Sequence, residues 1–361
     1  MRTALFRSTA LVISAALALS ACTRADGGPA ETKPVAEAGP AAELRLGFFP
    51  NVTHAAALVG IDKDKGFIAK ELGSTKLSTQ AFNAGPSAIE ALLSGSLDAT
   101  FVGPNPTINA FTKTKGEAVR LIAGAASGGA QLVVRPEITS VEQLRGKTIA
   151  TPQLGGTQDV ALRAWLAEKG LKVDTTGGND VKVLTTDNPQ TFDAFRSGQL
   201  DGGWLPEPWA SRLVLEAGAR VLVDERQLWP DGKFPTTVLI VRTEFAKKHP
   251  QTVRALLRGH VAAVRWLNSD TAAAKKVVNT GLAKNAGKPL ADSVLDRAFS
   301  QIEFSFDPLA GRFPKLSKDA VTAGVTKQEI DLKGLADVGA LNEALKAAGV
   351  ATVDASGLDK K

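Results

Sequence analysis

Five short segments of this 361-residue chain combine glycine, proline and small polar residues, which leave backbone amides and hydroxyl groups accessible. Each segment belongs to the region just after an apolar run that is typical of a β-strand. In open α/β sheets, ligands bind beyond the carboxyl ends of the strands, so the pattern predicts one polar cleft. The segments are residues 50–54, 85–87, 103–106, 127–129 and 153–158.

The segment 155–157 (Gly-Gly-Thr) stands immediately before a predicted helix. The free N–H groups and the positive dipole end of a helix N-terminus attract anions, so this segment is a candidate oxyanion cradle. The alternative is that Thr157 only caps its helix. In the same way, Ser87 and Glu90 have the S-x-x-E pattern of a capping box at the start of another helix. Both interpretations remain open for each residue.

Two tryptophans and a carboxylate, Trp204, Glu207 and Trp209, follow the end of another predicted strand. One interpretation is an apolar wall beside a polar group, the usual composition of a small-ligand pocket. The other is core packing for one tryptophan and a surface position for Glu207.

The sequence offers little for catalysis. Of the three histidines, only His54 lies in a candidate cleft segment, and it could equally cap the helix that follows; His260 falls near the apolar stripe of a helix. No metal-ligand cluster, nucleophile elbow, phosphate-binding loop or dinucleotide fingerprint is present in the sequence. We therefore predict a protein that is not an enzyme, with no cofactor, no metal site and no catalytic residue.

A repeat indicates how these segments are positioned. Residues 86–101 (PSAIEALLSGSLDATF) match residues 189–204 (PQTFDAFRSGQLDGGW) at six identical positions, with an offset of 103 residues. The same offset aligns residues 44–51 with 147–154 in pattern. A constant offset over two separate segments predicts two similar lobes with a cleft between them.

Strands alternate with helices in both halves, which predicts two α/β lobes with largely parallel sheets. The final third is mainly helical. The similar segments 131–135 and 238–242 are interpreted as crossings between the lobes, so that the end of the chain returns to the first lobe. The predicted domains are 44–129 with 236–361 for lobe 1, and 130–235 for lobe 2.

The N-terminus has the features of a secretory signal: Arg2 and Arg7, then a short apolar run, then small residues before Cys22. Residues 1–21 are therefore a predicted signal peptide. Residues 19–22 (LSAC) resemble the bacterial lipobox, which implies that Cys22 is lipidated and anchors the protein to a membrane. Residues 22–43, which are rich in alanine, proline and glycine, are a predicted disordered tether.

Charge and cysteine content argue against two further classes of protein, nucleic-acid binders and proteins stabilised by cysteine cross-links or cysteine-bound metals. The net charge of +6 comes from scattered basic residues without a long Lys/Arg run, so nucleic-acid binding has no support. Cys22 is the only cysteine, which excludes disulfide bonds within the chain and cysteine-based metal sites.

Six segments together resemble the solute-binding proteins of ABC importers, over residues 44 to about 308. The group they most resemble is the aliphatic sulfonate binders, within a wider set for nitrate, taurine and related solutes. The segments are GFFPNVTHAA, the Gly-Pro-Ser loop at 85–87, SGSLDATFVGPNP, TPQLGGTQDVAL, SGQLDGGWLPEPW and VDERQLWPDG.

The resemblance implies a type II periplasmic-binding fold that closes on its ligand at the extracytoplasmic face of a membrane. It also implies a monomer that docks on an ABC permease with its ATPase. A sulfonate would bind through backbone amides and hydroxyls, with Trp204 or Trp209 at its organic tail. The predicted ligand-binding residues are Asn51, Thr53, His54, Ser87, Asn105, Ser127, Gln153, Gly156, Thr157, Gln158, Trp204, Glu207 and Trp209.

Several alternatives stay open. Glu207, if it faces the cleft, would favour a ligand with an ammonium group such as taurine; if it makes an interlobe hydrogen bond, it leaves the ligand unconstrained. Nitrate and a thiamine-pyrimidine precursor are the other candidate ligands. An enzyme on the same fold and a ligand-sensing surface receptor are rival classes.

Overall fold

Two β-sheets with helices packed against them make up the part of the chain that the computed structural model describes, residues 39–174 and 176–359. The predicted signal peptide, the predicted lipidation site Cys22 and residues 23–38 of the predicted tether lie outside the described residues. Within the described ranges, no helix is both long and apolar enough to cross a membrane.

The eleven strands of the described residues are β1 (Glu43–Phe48), β2 (Lys76–Ala81), β3 (Ala99–Val102), β4 (Val119–Gly128), β5 (Ala130–Val134), β6 (Thr148–Thr151), β7 (Lys182–Thr185), β8 (Gly202–Pro206), β9 (Arg220–Asp224), β10 (Pro235–Arg242) and β11 (Ile302–Glu303). The helices are α1 (Ala55–Gly60), α2 (Phe67–Leu72), α3 (Gly85–Leu93), α4 (Pro104–Lys113), α5 (Thr157–Glu168), α6 (Asn188–Arg196), α7 (Trp209–Ala217), α8 (Thr243–Lys248), α9 (Pro250–Ser269), α10 (Thr271–Ala286), α11 (Asp292–Ser300), α12 (Phe313–Thr322) and α13 (Gly339–Ala347).

The two sheets share an equivalent arrangement of five strands. The first has the order β11-β4-β10-β3-β1-β2, and the second has the order β7-β6-β8-β5-β9. The parallel trio β2-β1-β3 therefore corresponds to β7-β6-β8, and β10 corresponds to β5. This correspondence confirms the two similar α/β lobes that the 103-residue repeat predicts.

The sheets are mixed, whereas the sequence analysis predicts largely parallel ones. Strand β11 pairs antiparallel with β4 at the edge of the first sheet. In each sheet, the strand that arrives from the other lobe also runs antiparallel to both of its neighbours: β10 between β3 and β4, and β5 between β8 and β9. The physical reason is the direction of entry. The chain enters β10 and β5 from the other lobe, on the side of the sheet that faces the cleft. That side is where β3 and β8 end, so β10 runs opposite to β3 and β5 runs opposite to β8.

The segments 131–135 and 238–242 fall largely in β5 and β10, the equivalent antiparallel strands, and β11 lies in the first sheet. The domain limits 44–129 with 236–361 and 130–235 remain a prediction. Helix α5 follows the segment 155–157, where the sequence predicts the start of a helix. It begins at Thr157 and ends at Glu168, and Gly170 follows with a φ of 71°. Strand β2 was not predicted, because an exposed edge strand shows no apolar run.

Candidate functional site

A pocket lies between the carboxyl ends of the strands of both sheets, and we call it the cleft pocket. It encloses about 440 Å³, including the part that is open to solvent. Its lining residues come from the segments that follow β1, β2, β3, β6, β7 and from the ends of β8 and β10. They are Phe49, Asn51, Thr53, His54, Asn83, Ala84, Gly85, Gly103, Pro106, Pro152, Gln153, Gly156, Thr157, Gln158, Asn188, Pro206, Thr236 and Thr237.

The cleft pocket has no Asp, Glu, Lys or Arg side chain among these lining residues. Its one titratable group, His54, is 2% exposed, and burial lowers the pKa of its imidazole to about 3. His54 is therefore neutral at physiological pH, because burial disfavours the charged form. A ligand in this pocket would meet dipoles and hydrogen-bonding groups, and no full counter-charge among these lining residues.

The ring of His54 is held in one orientation. The backbone N–H of Phe49 donates to Nδ1 at 3.3 Å, and the two rings stack with centroids 4.3 Å apart. Because Nδ1 accepts this bond, the proton of the neutral ring is on Nε2, which has no hydrogen-bond partner in the described part of the chain. The side chain does not cap the following helix α1. His54 thus offers one N–H donor to the cleft pocket.

The N-terminus of α5 supplies backbone donors. Gly156 precedes the helix with an extended backbone and no side-chain cap, so the N–H groups of Thr157 and Gln158 have no intrahelical partner. The loop before the helix is fixed by Asp159, whose carboxylate accepts from the N–H of Gly155 at 2.9 Å and from Arg163 at 3.0 Å. The free amides are therefore held in place before any ligand arrives.

Three buried polar atoms of the cleft pocket have no hydrogen-bond partner among the described residues. They are Thr157 Oγ1, Asn188 Oδ1 and Thr237 Oγ1. Buried polar atoms in folded proteins are nearly always hydrogen-bonded, since an unmade bond costs about 1–3 kcal/mol. Three such atoms around one small space leave hydrogen bonds that a polar ligand or water would complete.

Seven of the predicted ligand-binding residues line the cleft pocket. These are Asn51, Thr53, His54, Gln153, Gly156, Thr157 and Gln158. Thr157 is the first residue of its helix and its hydroxyl is unpaired, so the capping interpretation does not describe its side chain.

Three other predicted residues lie outside the cleft pocket. The hydroxyl of Ser87 donates to the carbonyl of Ala84 at 2.9 Å, in the first turn of α3, and borders a solvent-open groove beside the pocket. The amide Nδ2 of Asn105 donates to the carbonyl of Leu316 at 3.2 Å. Ser127 is buried within β4 and pairs with both neighbouring strands.

Neither predicted tryptophan lines the cleft pocket. Trp204 is fully buried, donates from Nε1 to Glu225 at 2.7 Å and packs edge-on against Trp165. Trp209 donates from Nε1 to Oδ1 of Asn51 at 2.9 Å, which joins the two lobes and orients a pocket residue from behind.

Glu207 also joins the lobes and does not face the ligand space. Its N–H donates to the carbonyl of Gly129 at 2.9 Å, and its own carbonyl accepts from the N–H of Thr53 at 3.4 Å. Its fully buried carboxylate accepts from Nη1 of Arg297 at 3.0 Å and from the N–H of Ser211 at 3.1 Å. Burial raises the pKa of this carboxyl, while the bonds from Ser211 and Arg297 act in the opposite direction. These contacts match the alternative in which Glu207 makes an interlobe hydrogen bond and says nothing about the chemical class of the ligand.

Several pocket residues were not among the predicted ones, notably Asn83, Gly85, Asn188, Thr236 and Thr237. The repeat carries a signal for two of them: Gly85 and Asn188 stand 103 positions apart and open equivalent helices, α3 and α6. Thr236 and Thr237 lie at the start of β10, the strand by which the chain re-enters the first sheet. The sequence analysis interprets this region only as a crossing between the lobes.

The lobes touch each other around the cleft pocket. Gly103 lies against the hydroxyl of Thr157 so closely that a Cβ at position 103 has no room. Nδ2 of Asn83 donates to Asp187 at 2.8 Å across the cleft. The pocket is therefore bounded by interlobe contacts.

Two lobes of equivalent topology with a polar pocket between their strand ends define the periplasmic binding protein fold. The alkanesulfonate-binding protein SsuA from Xanthomonas axonopodis pv. citri bound to MOPS matches with a TM-score of 0.65 and 25% identity, over 80% of this chain and 93% of that chain. The chain belongs to the NMT1-like family, whose profile matches residues 37–282. The resemblance to solute-binding proteins is thereby confirmed at the level of the family.

Other known proteins agree with this assignment. The periplasmic nitrate-binding protein NrtA from Synechocystis PCC 6803 has the same fold, with a TM-score of 0.69 at 18% identity over 85% of this chain and 89% of that chain. The taurine-binding periplasmic protein of Escherichia coli (strain K12) is 31% identical over 196 residues, which are 54% of this chain and 58% of that protein. The bicarbonate-binding protein CmpA of Synechococcus elongatus is 25% identical over 62% of this chain and 53% of that protein. The matched region thus spans less than two thirds of these two relatives.

Proposed function

We propose that this chain is the extracytoplasmic substrate-binding lipoprotein of an ABC importer. It captures a small organic anion, an aliphatic sulfonate, in the cleft pocket and delivers it to a membrane permease with its ATPase. Relatives that bind taurine and bicarbonate support a small solute, and the match to an alkanesulfonate-binding protein supports a sulfonate.

One observation carries the proposal: an uncharged pocket presents unpaired donors around the N-terminus of α5. The free N–H groups of Thr157 and Gln158 stand beside the unpaired hydroxyls of Thr157 and Thr237. A sulfonate has three acceptor oxygens and one delocalised charge. Hydrogen bonds to a charged group contribute about 1.5–3 kcal/mol each, so a few of them hold the anion without a counter-charge.

Capture follows from where the donors are attached. The donors of Thr157 and Gln158 belong to the segment after a strand of the second sheet, while those of His54 and Thr237 belong to the first lobe. A ligand that bonds both sets stabilises the arrangement in which the lobes meet. The ligand therefore shifts the population towards the closed form, and a permease can distinguish that form from the empty one.

Calorimetry on the purified full chain tests the ligand class. The panel is ethanesulfonate, butanesulfonate, taurine, nitrate, bicarbonate, sulfate and a pyrimidine. We expect stoichiometric binding of at least one sulfonate and no turnover of it. No heat from any sulfonate, beside a clear signal from another class, would make the sulfonate assignment wrong.

The lipoprotein part of the proposal has its own test. A chain processed at Cys22 partitions to the membrane fraction and incorporates labelled fatty acid in a bacterial host. The Cys22→Ser variant is expected to lose both properties. A variant that still partitions to membranes would show that the anchor is not at Cys22.

A further inference from the structure

A solvent-open groove lies beside the cleft pocket, and we call it the side groove. It runs between residues 81–84, at and after the end of β2, and residues 185–187, at and after the end of β7. The side groove and the cleft pocket share four lining residues, which are Asn83, Ala84, Pro152 and Gln153. The two spaces therefore have a common wall, and a charge in the groove acts on a ligand in the pocket at short range.

Among the described residues that line the side groove, Asp187 is the only one with a charged side chain. Its Oδ2 accepts from Nδ2 of Asn83 at 2.8 Å, across the cleft. Because the amide of Asn83 is neutral, this bond orients the carboxylate and leaves its negative charge in place. Asn83 also lines the cleft pocket, so the carboxylate is one hydrogen bond away from the pocket wall.

The orientation of the Asp187 side chain is unusual for its position. Asp187 immediately precedes α6, where the oxygen of an aspartate commonly accepts from an N–H of the first helical turn. Pro189 has no N–H, so that of Gln190 is the available partner. Asp187 makes no such bond. Its carboxylate is turned to Asn83 instead, which places at the cleft a charge that a capping aspartate would keep at the helix.

The repeat shows that this charge has no counterpart on the other side of the cleft. At the offset of 103 residues, Asp187 corresponds to Ala84, which precedes α3 in the same way. Neither helix has a side-chain cap, and their first residues, Gly85 and Asn188, both line the cleft pocket. Two equivalent helix N-termini therefore attract an anion, and a single carboxylate repels it.

We propose, on the basis of the function proposed above, that Asp187 is a specificity-determining residue that excludes doubly charged anions from the cleft pocket. Coulomb repulsion is proportional to the charge of the ligand, so a dianion meets twice the repulsion that a monoanion meets. Hydrogen-bond donors do not distinguish sulfate from a sulfonate, because both anions present the same kind of oxygen acceptor. The carboxylate makes the distinction by repelling the wrong ligand more strongly than the right one.

Methanesulfonate and sulfate test this role, because they are similar in size and differ by one unit of charge. Calorimetry on the purified full chain measures the affinity of both anions for the unaltered protein and for Asp187→Asn. The variant removes the charge and keeps an oxygen that accepts from Asn83. At the dielectric constants of a protein surface, a neighbouring charge changes affinity by about threefold for each unit of ligand charge. We therefore expect the affinity to rise about threefold for methanesulfonate and about tenfold for sulfate.

The outcome separates this inference from the proposed function. An equal change for the two anions, or no gain for sulfate, would overturn the role of Asp187, while binding of methanesulfonate would still support a sulfonate binder. If nitrate binds and no sulfonate does, the proposed ligand class is wrong. Nitrate and sulfate then form the test pair, and a larger gain for sulfate in Asp187→Asn still supports the exclusion of dianions.

The matched control is Asp193→Asn, which removes an exposed carboxylate from the same helix, α6, outside the side groove. We expect this control to leave the ratio of the two affinities unchanged. A shift in the ratio equal to that of Asp187→Asn would assign the effect to the net charge of the protein and overturn the proposal.

Ionic strength gives a further readout, which a purely structural role of Asp187 would not affect. The change in the sulfate-to-methanesulfonate ratio produced by Asp187→Asn should shrink as sodium chloride is raised from about 0.01 M to about 0.5 M, because salt screens the charge. Chloride competes equally with both anions, so its own binding cancels in the ratio. A change that is independent of salt would overturn the electrostatic role of Asp187.

Discussion

Nη1 of Arg297 lies 3.0 Å from Oε1 of Glu207, and the two residues are 90 positions apart in the chain. Arg297 also donates to Oγ of Ser211 at 2.7 Å and to Oε1 of Gln131 at 2.8 Å. Its helix, α11, leads into β11 of the first sheet, whereas its partners belong to β5, α7 and the segment after β8. Because the carbonyl of Glu207 accepts from the N–H of Thr53, which lines the cleft pocket, this cluster connects the interlobe contact to that pocket.

Removing the cation should destabilise the fold. In Arg297→Met, the buried carboxylate of Glu207 loses its charged partner, which we expect to lower the free energy of unfolding by about 3 kcal/mol. Urea unfolding measures the change. Arg254→Met, which breaks an exposed pair with Glu343, should lower it by less than about 1 kcal/mol. Adding Glu207→Gln to Arg297→Met should recover part of the loss, and no recovery would contradict the role of the buried charge.

The stability of the protein should depend on pH through Glu225. The pKa of its carboxyl is about 7 in the folded protein against an ordinary 4.5, because the group is buried. Between these values the folded state holds a proton that the unfolded chain has released. The contribution is therefore complete below pH 4.5 and is lost as the pH rises through 7, by an amount on the order of 3 kcal/mol.

The measurement for Glu225 is a difference between two proteins. Urea unfolding at pH 5 and pH 8 is compared for the unaltered chain and for Glu225→Gln, so that titration of other groups cancels. The unaltered chain should lose more stability between the two pH values than the variant does. The same pH dependence in both proteins would mean that Glu225 does not titrate in this range.

Closure of the cleft should depend on the absence of a side chain at Gly103. A Cβ at this position collides with the hydroxyl of Thr157 across the cleft. Gly103→Ala should therefore hold the lobes apart and weaken ligand binding at least about tenfold, with little change in unfolding free energy. Gly339→Ala is a matched control, because the nearest atom to its added Cβ is 3.8 Å away. Unchanged affinity in Gly103→Ala would show that the lobes do not meet there in the bound form.

The unpaired hydroxyl of Thr237 should contribute to affinity and little to stability. Thr237→Val keeps the shape of the side chain and removes an oxygen that has no hydrogen-bond partner among the described residues. We expect ligand affinity to fall about tenfold, the value of one hydrogen bond to a charged group, while unfolding free energy stays the same or rises. Thr243→Val removes another buried unpaired hydroxyl, outside the cleft pocket, and should leave affinity unchanged. An equal effect of the two substitutions would remove Thr237 from the ligand site.

The sequence predicted the segments that line the cleft pocket better than it predicted the contacts of the residues around that pocket. The segments 50–54 and 153–158 reach the cleft pocket because the carboxyl ends of parallel strands meet at one edge, a rule that needs no tertiary information. The start of helix α5 was predicted because the glycines of segment 155–157 stand immediately before it. Strand ends and helix starts of this kind can be predicted because the residues that determine them lie within a few positions of each other.

The sequence could not assign Trp204, Asn105 and Glu207, because their partners are distant in the chain. Every residue of β8 is buried, so no alternation shows which face of the strand carries Trp204. Asn105 bonds a carbonyl 211 positions away, and Glu207 pairs with Arg297 in a helix that no motif connects to it. In such cases, residue type alone fits both a ligand site and a structural contact.

Strand β10 lies in the middle of the first sheet, between β3 and β4, yet it follows all five strands of the second sheet in the chain. During translation the second sheet is therefore complete before the first receives its central strand. Domains usually fold from the N-terminus onwards as they are synthesised. Here the lobe that begins first is finished last, and a nascent chain that stops before residue 235 exposes the open edges of β3 and β4 beside a finished partner. This interval is when the protein is most exposed to aggregation, because unpaired strand edges are open to other chains.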